Sequence, residues 1–125
     1  MSPSIVATFI KSNNPELYNQ VRQMCTPALN DTRLLGGIYR KSLTFFKDEK
    51  EPTLLFIAAV LRLYSPGFYY GTTATLGICK ALTDTLSLSC KNSASRLASV
   101  TRTYMKNRAF AAKVDEFVEL VREGV

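Results

Sequence analysis

The most constraining feature of the chain is a helix-length segment that is apolar on every side. Eight consecutive apolar residues run from Leu54 to Leu61. Pro52 precedes them, as is typical of the first turn of a helix, and the turn sequence Ser65-Pro66-Gly67 follows. A helix that has no polar face must be surrounded by other elements. The sequence therefore predicts a buried central helix over about Leu54–Tyr64.

Helical spacing of apolar residues predicts the elements that surround this helix. The other predicted helices are a short one beginning at Ser2-Pro3, whose residues would also suit a strand, one beginning at Asn14-Pro15-Glu16, one over about Leu34–Phe46 with Asp31 or Thr32 as its cap, one from Thr73 to Leu88, one capped by Asn92 or Ser93, and one from about Ala109 to Glu123. In the helix over Leu34–Phe46, Gly36-Gly37 indicates either a break or a close helix crossing.

These elements predict the fold class. A chain of 125 residues can bury one core without metal or disulfide support. No internal repeat or linker divides the sequence. We therefore expect a compact all-α domain over residues 1–125, with five to seven helices packed around the central one.

The chain contains no histidine, which removes several catalytic mechanisms. Serine or cysteine nucleophiles activated by histidine, histidine general bases and histidine metal ligands are all excluded. The three cysteines, Cys25, Cys79 and Cys90, lack the Cys-x-x-Cys spacing of a zinc site. Most carboxylates lie in the Asp48–Glu51 loop or near the C-terminus, where such groups are usually solvated. We expect a non-enzymatic protein with no cofactor, no metal and no small-molecule substrate.

Targeting signals are also missing from the sequence. The first residues lack the basic start and apolar core of a signal peptide, and no apolar run approaches the roughly 20 residues that a membrane span needs. An odd number of cysteines favours reduced thiols. The sequence predicts an intracellular, reducing compartment, either cytoplasm or nucleus.

Charge is distributed unevenly along the chain. The net charge is +6, but residues 52–114 carry +7 whereas residues 115–125 carry −3. Six cations and no carboxylate occur between Thr85 and Val114. A stretch of one sign this long raises the local concentration of an anionic partner. Nucleic acid is therefore the partner that the sequence favours.

The predicted basic helix separates its cations from its apolar residues. At 100° per residue, its apolar positions fall within an arc of about 120°, with Arg102 and Lys106 on the opposite side. These apolar positions are Ala94, Leu97, Ala98, Thr101, Tyr104 and Met105. Reversing the charges of Arg102 and Lys106 together should thus weaken polyanion binding without unfolding the domain. The expected phosphate contacts are Lys91, Arg96, Arg102, Lys106, Arg108 and Lys113.

Tyr69 and Tyr70 follow the turn after the central helix and are candidates for stacking on unpaired bases. This interpretation favours RNA or single strands over duplex nucleic acid. Aromatic residues also build cores and protein interfaces, so burial of this cluster is the alternative.

The sequence leaves two functional hypotheses. The first is a nucleic-acid-binding protein that contacts the sugar-phosphate backbone and works as an oligomer, because one small domain makes few phosphate contacts. The alternative is a helical protein-protein interaction or assembly module: an adaptor, or a matrix-like or nucleocapsid-like structural subunit. Its contacts would be Glu116, Glu119 and Glu123 on the last helix, pairing with the basic face of a partner or a second copy. An anionic membrane surface ranks below both partners, and the basic residues could also form a solvated or internally paired face.

Overall fold

A computed structural model of the chain describes residues 13–17, 19–20, 27–70, 77–88 and 91–124, with the side chains of 69, 70, 91 and 92 excepted. These residues contain no β-strand, which confirms the all-α fold. The principal elements are α1 (Leu35–Phe45), α2 (Pro52–Tyr64), α3 (Ile78–Thr85), α4 (Lys91–Tyr104) and α5 (Arg108–Glu123). Two 3₁₀ segments, Thr32–Leu34 and Pro66–Tyr70, precede α1 and follow α2.

The predicted central helix is confirmed as α2. Every residue from Leu54 to Leu61 is buried. Both α4 and α5 pack directly against α2, and α1 covers a further part of it. The one charged residue of α2, Arg62, reaches the surface and pairs with Asp115 of α5 at 3.1 Å. The helix therefore organises the core and is itself tied to α5 by an ion pair.

The entry to α1 is fixed by Asp31, one of the two predicted caps. Its carboxylate accepts a hydrogen bond from the backbone N–H of Arg33 at 3.0 Å and pairs with the Arg33 guanidinium. These bonds hold the pKa of Asp31 below its ordinary value. The Tyr64 hydroxyl donates to the Asp31 carbonyl at 2.7 Å. This bond fastens the start of α1 to the end of α2.

The glycine pair does not have the role expected from the sequence. Gly36 and Gly37 lie inside α1, which continues without a break to Phe45. A side chain built at Gly36 would meet nothing within 4 Å. Neither a break nor a close helix crossing therefore explains these glycines.

The predicted helix Thr73–Leu88 is shorter than expected. It begins at Ile78, because Gly77 has a φ of +89°, a left-handed conformation that a helix cannot continue through. It ends at Thr85, and Ser87 has a positive φ of 54°. Residues 73–76 of the prediction lie outside the described residues.

The other predicted helix boundaries are close to the observed ones. Asn14 accepts a hydrogen bond from the N–H of Leu17 at 3.1 Å, as expected of a helix start. Asn107 caps α5, whose first residue, Arg108, is one position before the predicted start near Ala109. However, α4 begins at Lys91, so Asn92 and Ser93 lie within its first turn and are not its caps. The predicted helix at Ser2-Pro3 lies outside the described residues.

Truncation of the central helix should destabilise the fold. Phe56 and Leu61 have no exposed surface. We expect Phe56→Ala or Leu61→Ala to lower the free energy of unfolding by about 2 to 5 kcal/mol, since each substitution leaves a cavity. Urea denaturation measures the change. The exposed Leu43 provides the control: Leu43→Ala should stay within about 0.5 kcal/mol of wild type, and an equal loss there would contradict the core assignment.

Ionisation of Tyr64 should lower the free energy of unfolding at alkaline pH. Burial, together with the nearby Asp31 carboxylate, raises the pKa of Tyr64 above its ordinary value of 10.0. Because the folded pKa is raised, the stabilisation is complete below the unfolded pKa and disappears as pH rises through the folded one. Tyr64→Phe removes a hydrogen bond and should cost about 1 kcal/mol near neutral pH.

The difference in unfolding free energy between wild type and Tyr64→Phe should then narrow above pH 10.0. Urea titrations at several pH values measure it. A difference that stays constant across this range would show that the Tyr64 hydroxyl titrates alike in the folded and unfolded chains.

Candidate nucleic-acid interface

The outer side of α4 carries exposed cations and hydroxyls. Ala94, Ala98 and Thr101 are buried toward the core, and the Thr101 hydroxyl is satisfied by donating to the Ala98 carbonyl at 2.7 Å. On the other side, the residues exposed along one helical stripe are Arg96, Ser99, Thr103 and, in the turn after α4, Lys106. Arg96 and Lys106 are ten positions apart, which corresponds to about 15 Å at the rise of a helix. Arg108, also exposed, begins α5.

Arg96, Lys106 and Arg108 make no ion pair among the described residues. The ion pairs found there are Arg33–Asp31, Arg62–Asp115, Lys113–Glu49 and Arg122–Glu119. We name these three cations, with Ser99 and Thr103 between them, the basic face. Their positive charge is not cancelled by a neighbouring carboxylate, so their field extends into solvent.

Arg102 differs from the sequence expectation. Its guanidinium donates through Nε and Nη2 to the carbonyl of Phe68, at 3.0 and 2.8 Å. The guanidinium carbon also lies 3.9 Å from the centroid of the Phe68 ring, a cation-π contact. The side chain is half-buried. Arg102 thus joins α4 to the 3₁₀ segment, and the prediction that it lies outside the packed side of the helix is wrong.

The error comes from the placement of Tyr104. Helical spacing places this residue in the apolar arc, but it is 39% exposed. The buried arc is instead centred on Ala94, Ala98 and Thr101. Arg102 lies only about 80° from Ala94 on the helical wheel, at the edge of that arc, where its long side chain can reach a neighbouring segment.

Lys113 is also engaged within the chain. Its ammonium lies 2.7 Å from a carboxylate oxygen of Glu49, in the loop between α1 and α2. Acids of this loop and residues of α5 line a groove of about 510 Å³. This ion pair leaves the Lys113 charge partly neutralised by Glu49, so Lys113 is not counted among the cations open to phosphates.

Three of the predicted site residues have side chains that the structure does not describe. Lys91 is the first residue of α4, and Tyr69 and Tyr70 end the 3₁₀ segment, but their side chains lie outside the described atoms. The backbone still provides one relation. Arg102 binds the Phe68 carbonyl, so α4 is connected to the residue that directly precedes Tyr69 and Tyr70.

One exposed aromatic side chain was missed by the sequence analysis. The Tyr104 ring packs against Phe110 with centroids 5.2 Å apart, and its remaining surface faces solvent two residues before Lys106. Its position at the end of α4, where the chain turns into α5, is what exposes it. Helical spacing alone could not distinguish this position from a core position, because both fall in the same arc.

The acidic residues of α5 do not pair with the basic face. Glu116, Glu119 and Glu123 are exposed, and Glu119 lies 3.7 Å from Arg122 one turn along the same helix. Across the described part of the chain, neither Glu116 nor Glu123 forms an ion pair. Internal neutralisation of the basic face by these acids is therefore not observed.

No other chemical site is found in the described part of the chain. Among those residues, no three histidine, cysteine or carboxylate side chains are grouped as metal ligands would be. None of the described helices has the length and apolar character needed to cross a bilayer. Cys79 is half-buried on α3 and packs against the core.

Comparison with known proteins identifies no relative. No family model, curated protein or solved structure matches this chain. Function is therefore inferred from the surfaces of the molecule alone.

Replacing Arg102 should affect stability more than replacing Lys106. We expect Arg102→Glu to lower the free energy of unfolding by about 1 to 3 kcal/mol, because the Phe68 carbonyl loses its charged donor. Arg102→Lys should recover only part of this loss, since an ammonium lacks the planar fork. Lys106→Glu should stay within about 0.5 kcal/mol of wild type. Equal stability of the Arg102→Glu and Lys106→Glu variants in urea would contradict the role assigned to Arg102.

Proposed function

We propose that this protein is a non-enzymatic nucleic-acid-binding protein that contacts the sugar-phosphate backbone. The observation that supports the proposal is the basic face: Arg96, Lys106 and Arg108 are exposed and unpaired within the described residues. The hydroxyls of Ser99 and Thr103 lie between these cations and can donate to phosphate oxygens. We expect little base specificity, because cations and hydroxyls can bind phosphate oxygens that every sequence presents.

The chemistry of such binding is counterion release. Each phosphate that a cation neutralises releases a condensed counterion, so affinity falls as salt rises. Three contacts correspond to a slope of about −2 to −3 in a plot of log K against log salt. So few contacts make one copy a weak binder. A protein that uses this face would gain affinity by presenting several copies to the same strand.

A preference for RNA or other single strands rests on the neighbouring aromatic residues. Tyr104 is partly exposed near Lys106, and Tyr69 and Tyr70 directly follow Phe68, whose carbonyl Arg102 of α4 binds. A tyrosine ring next to cations can stack on an unpaired base, which a duplex does not offer. We infer an intracellular, reducing setting from the cysteine pattern, as expected for a protein of this function.

A second function, a protein-protein assembly module, is favoured by a different observation. Leu120 is 44% exposed on α5 and is flanked by Glu116 and Glu123, which form no ion pair with any described residue. An apolar side chain within a charged border is typical of a protein contact. Assembly is compatible with nucleic-acid binding, since the two surfaces share no residue.

Reversal of the basic face should weaken nucleic-acid binding. The test variant is Arg96→Glu/Lys106→Glu/Arg108→Glu. The control is Lys47→Glu/Lys50→Glu/Lys80→Glu, which changes three exposed cations elsewhere and alters the net charge equally. Fluorescence anisotropy with random single-stranded RNA, single-stranded DNA and duplex DNA in about 50 mM salt measures affinity.

We expect the test variant to lose at least about tenfold in affinity with a shallower salt slope, whereas the control changes by less than about threefold. Absence of wild-type binding at this salt concentration would refute the proposed function. Equal losses in the two variants would mean that net charge, and not the basic face, determines binding. Titration with vesicles of acidic lipids is a further arm, and binding to them in preference to all three nucleic acids would assign the face to membrane contact.

A further inference from the structure

A shallow groove between α1 and the end of α5 is not accounted for by the core or by the basic face. Its volume is about 700 Å³. Arg40, Lys41 and Phe45 of α1 form one wall, and Leu120 and Glu123 of α5 form the other. No residue of the basic face lines it. The groove is therefore a separate surface feature of the fold.

Two large apolar side chains line this groove and remain partly open to solvent. Phe45 is 40% exposed and Leu120 is 44% exposed. The Phe45 ring contacts Phe117 of the core, with centroids 5.4 Å apart, so its inner edge is packed and its outer edge is not. These two groups give the groove a small apolar floor.

The charges on the two walls are opposite in sign. Arg40 and Lys41 stand on the α1 wall, and Glu123 stands on the α5 wall. Glu116 lies four residues before Leu120 and Glu123 three residues after it, so both acids share its side of α5. Among the residues that the structure describes, none of these four charged groups forms an ion pair. The apolar floor thus lies between a basic wall and an acidic wall.

This arrangement favours one kind of occupant. An acidic segment laid in the groove would meet Glu123, and a basic segment would meet Arg40 and Lys41. Consider a second copy of the chain related to the first by a two-fold axis that runs along the groove. Its basic wall lies over the acidic wall of the first copy, and its acidic wall lies over the basic wall of the first copy. Such self-complementarity is what a symmetric dimer interface requires. We propose that the chain forms a two-fold symmetric homodimer through this groove.

The direction of the helices makes the pairing specific. A side chain at Gly124 would come within 3.2 Å of Lys41 Nζ, whereas Phe45 lies beside Phe117, so α1 and α5 run antiparallel. A two-fold axis that runs along the groove leaves every residue at the same position along the length of the groove. The Lys41 end of one copy then lies over the Glu123 end of the other, and Phe45 lies over the stretch that contains Leu120. Charges therefore meet opposite charges, and apolar groups meet apolar groups.

Sedimentation equilibrium from about 10 µM to about 1 mM chain tests the proposal. We expect wild type to dimerise reversibly with a Kd of roughly 10 to 100 µM, a weak affinity consistent with a small interface. Leu120→Glu should remain monomeric across this range. Leu43→Glu should dimerise like wild type, because Leu43 is also exposed but is not part of the groove. Circular dichroism and urea denaturation confirm that both variants fold.

A charge swap tests the two-fold geometry itself. Lys41→Glu alone and Glu123→Lys alone should each weaken the dimer at least about fivefold, since each places like charges opposite one another twice per dimer. The two substitutions combined in one chain should restore most of the affinity, because each reversed residue then meets its reversed partner. A double variant no better than the single ones would overturn the two-fold arrangement.

Two other results would overturn the dimer as a whole. One is a wild-type chain that is monomeric at about 1 mM, and the other is equal dimerisation of the Leu43→Glu and Leu120→Glu variants. None of these substitutions touches the basic face. A chain that does not dimerise but still binds nucleic acid as a single copy would therefore contradict the dimer and leave the proposed function intact.

Discussion

Burial of α2 is the constraint from which the other surfaces of the molecule follow. A helix with no polar side can exist in water only when neighbours cover it around its circumference. α4 does so with the small residues Ala94 and Ala98, and α5 does so with Val114, Phe117 and Val121. Each covering helix must then turn its opposite side to solvent. Arg96 on α4 and Glu116, Glu119 and Glu123 on α5 lie on those opposite sides, so the exposure of these charges is a consequence of how α2 is enclosed.

Arg102 shows that a cation in a basic segment can serve the fold. Its guanidinium donates hydrogen bonds to the carbonyl of Phe68, in the 3₁₀ segment that follows α2, and lies over the Phe68 ring. A charge-assisted bond of this kind is stronger than a neutral one, which explains why an arginine is used there. Lys113 is similarly occupied by Glu49. The number of basic residues in a stretch therefore overstates the number of groups available to phosphates.

The sequence predicted the features that depend on local pattern. The central helix, the cap at Asp31 and the start of α5 follow from apolar spacing and from side chains that hydrogen-bond within two or three residues. The features it did not predict depend on other causes. Glu49 and Lys113 are 64 residues apart and meet only because the loop between α1 and α2 lies against α5 in the folded chain. The start of α3 depends on the backbone conformation of Gly77, since the apolar pattern continues on both sides of that residue.

The two proposed surfaces would act on each other through charge. The acids of α5 repel phosphates, and so in a single copy they oppose the field of the basic face. In the proposed dimer, Glu123 of each copy faces Arg40 and Lys41 of the other, which neutralises part of that repulsion while leaving Arg96, Lys106 and Arg108 open. The same contact places two basic faces on one particle, and binding of the second face to a strand becomes an intramolecular step. A weak dimer would then be stabilised by the nucleic acid that it holds, because a ligand that spans both copies binds the dimer in preference to the monomer.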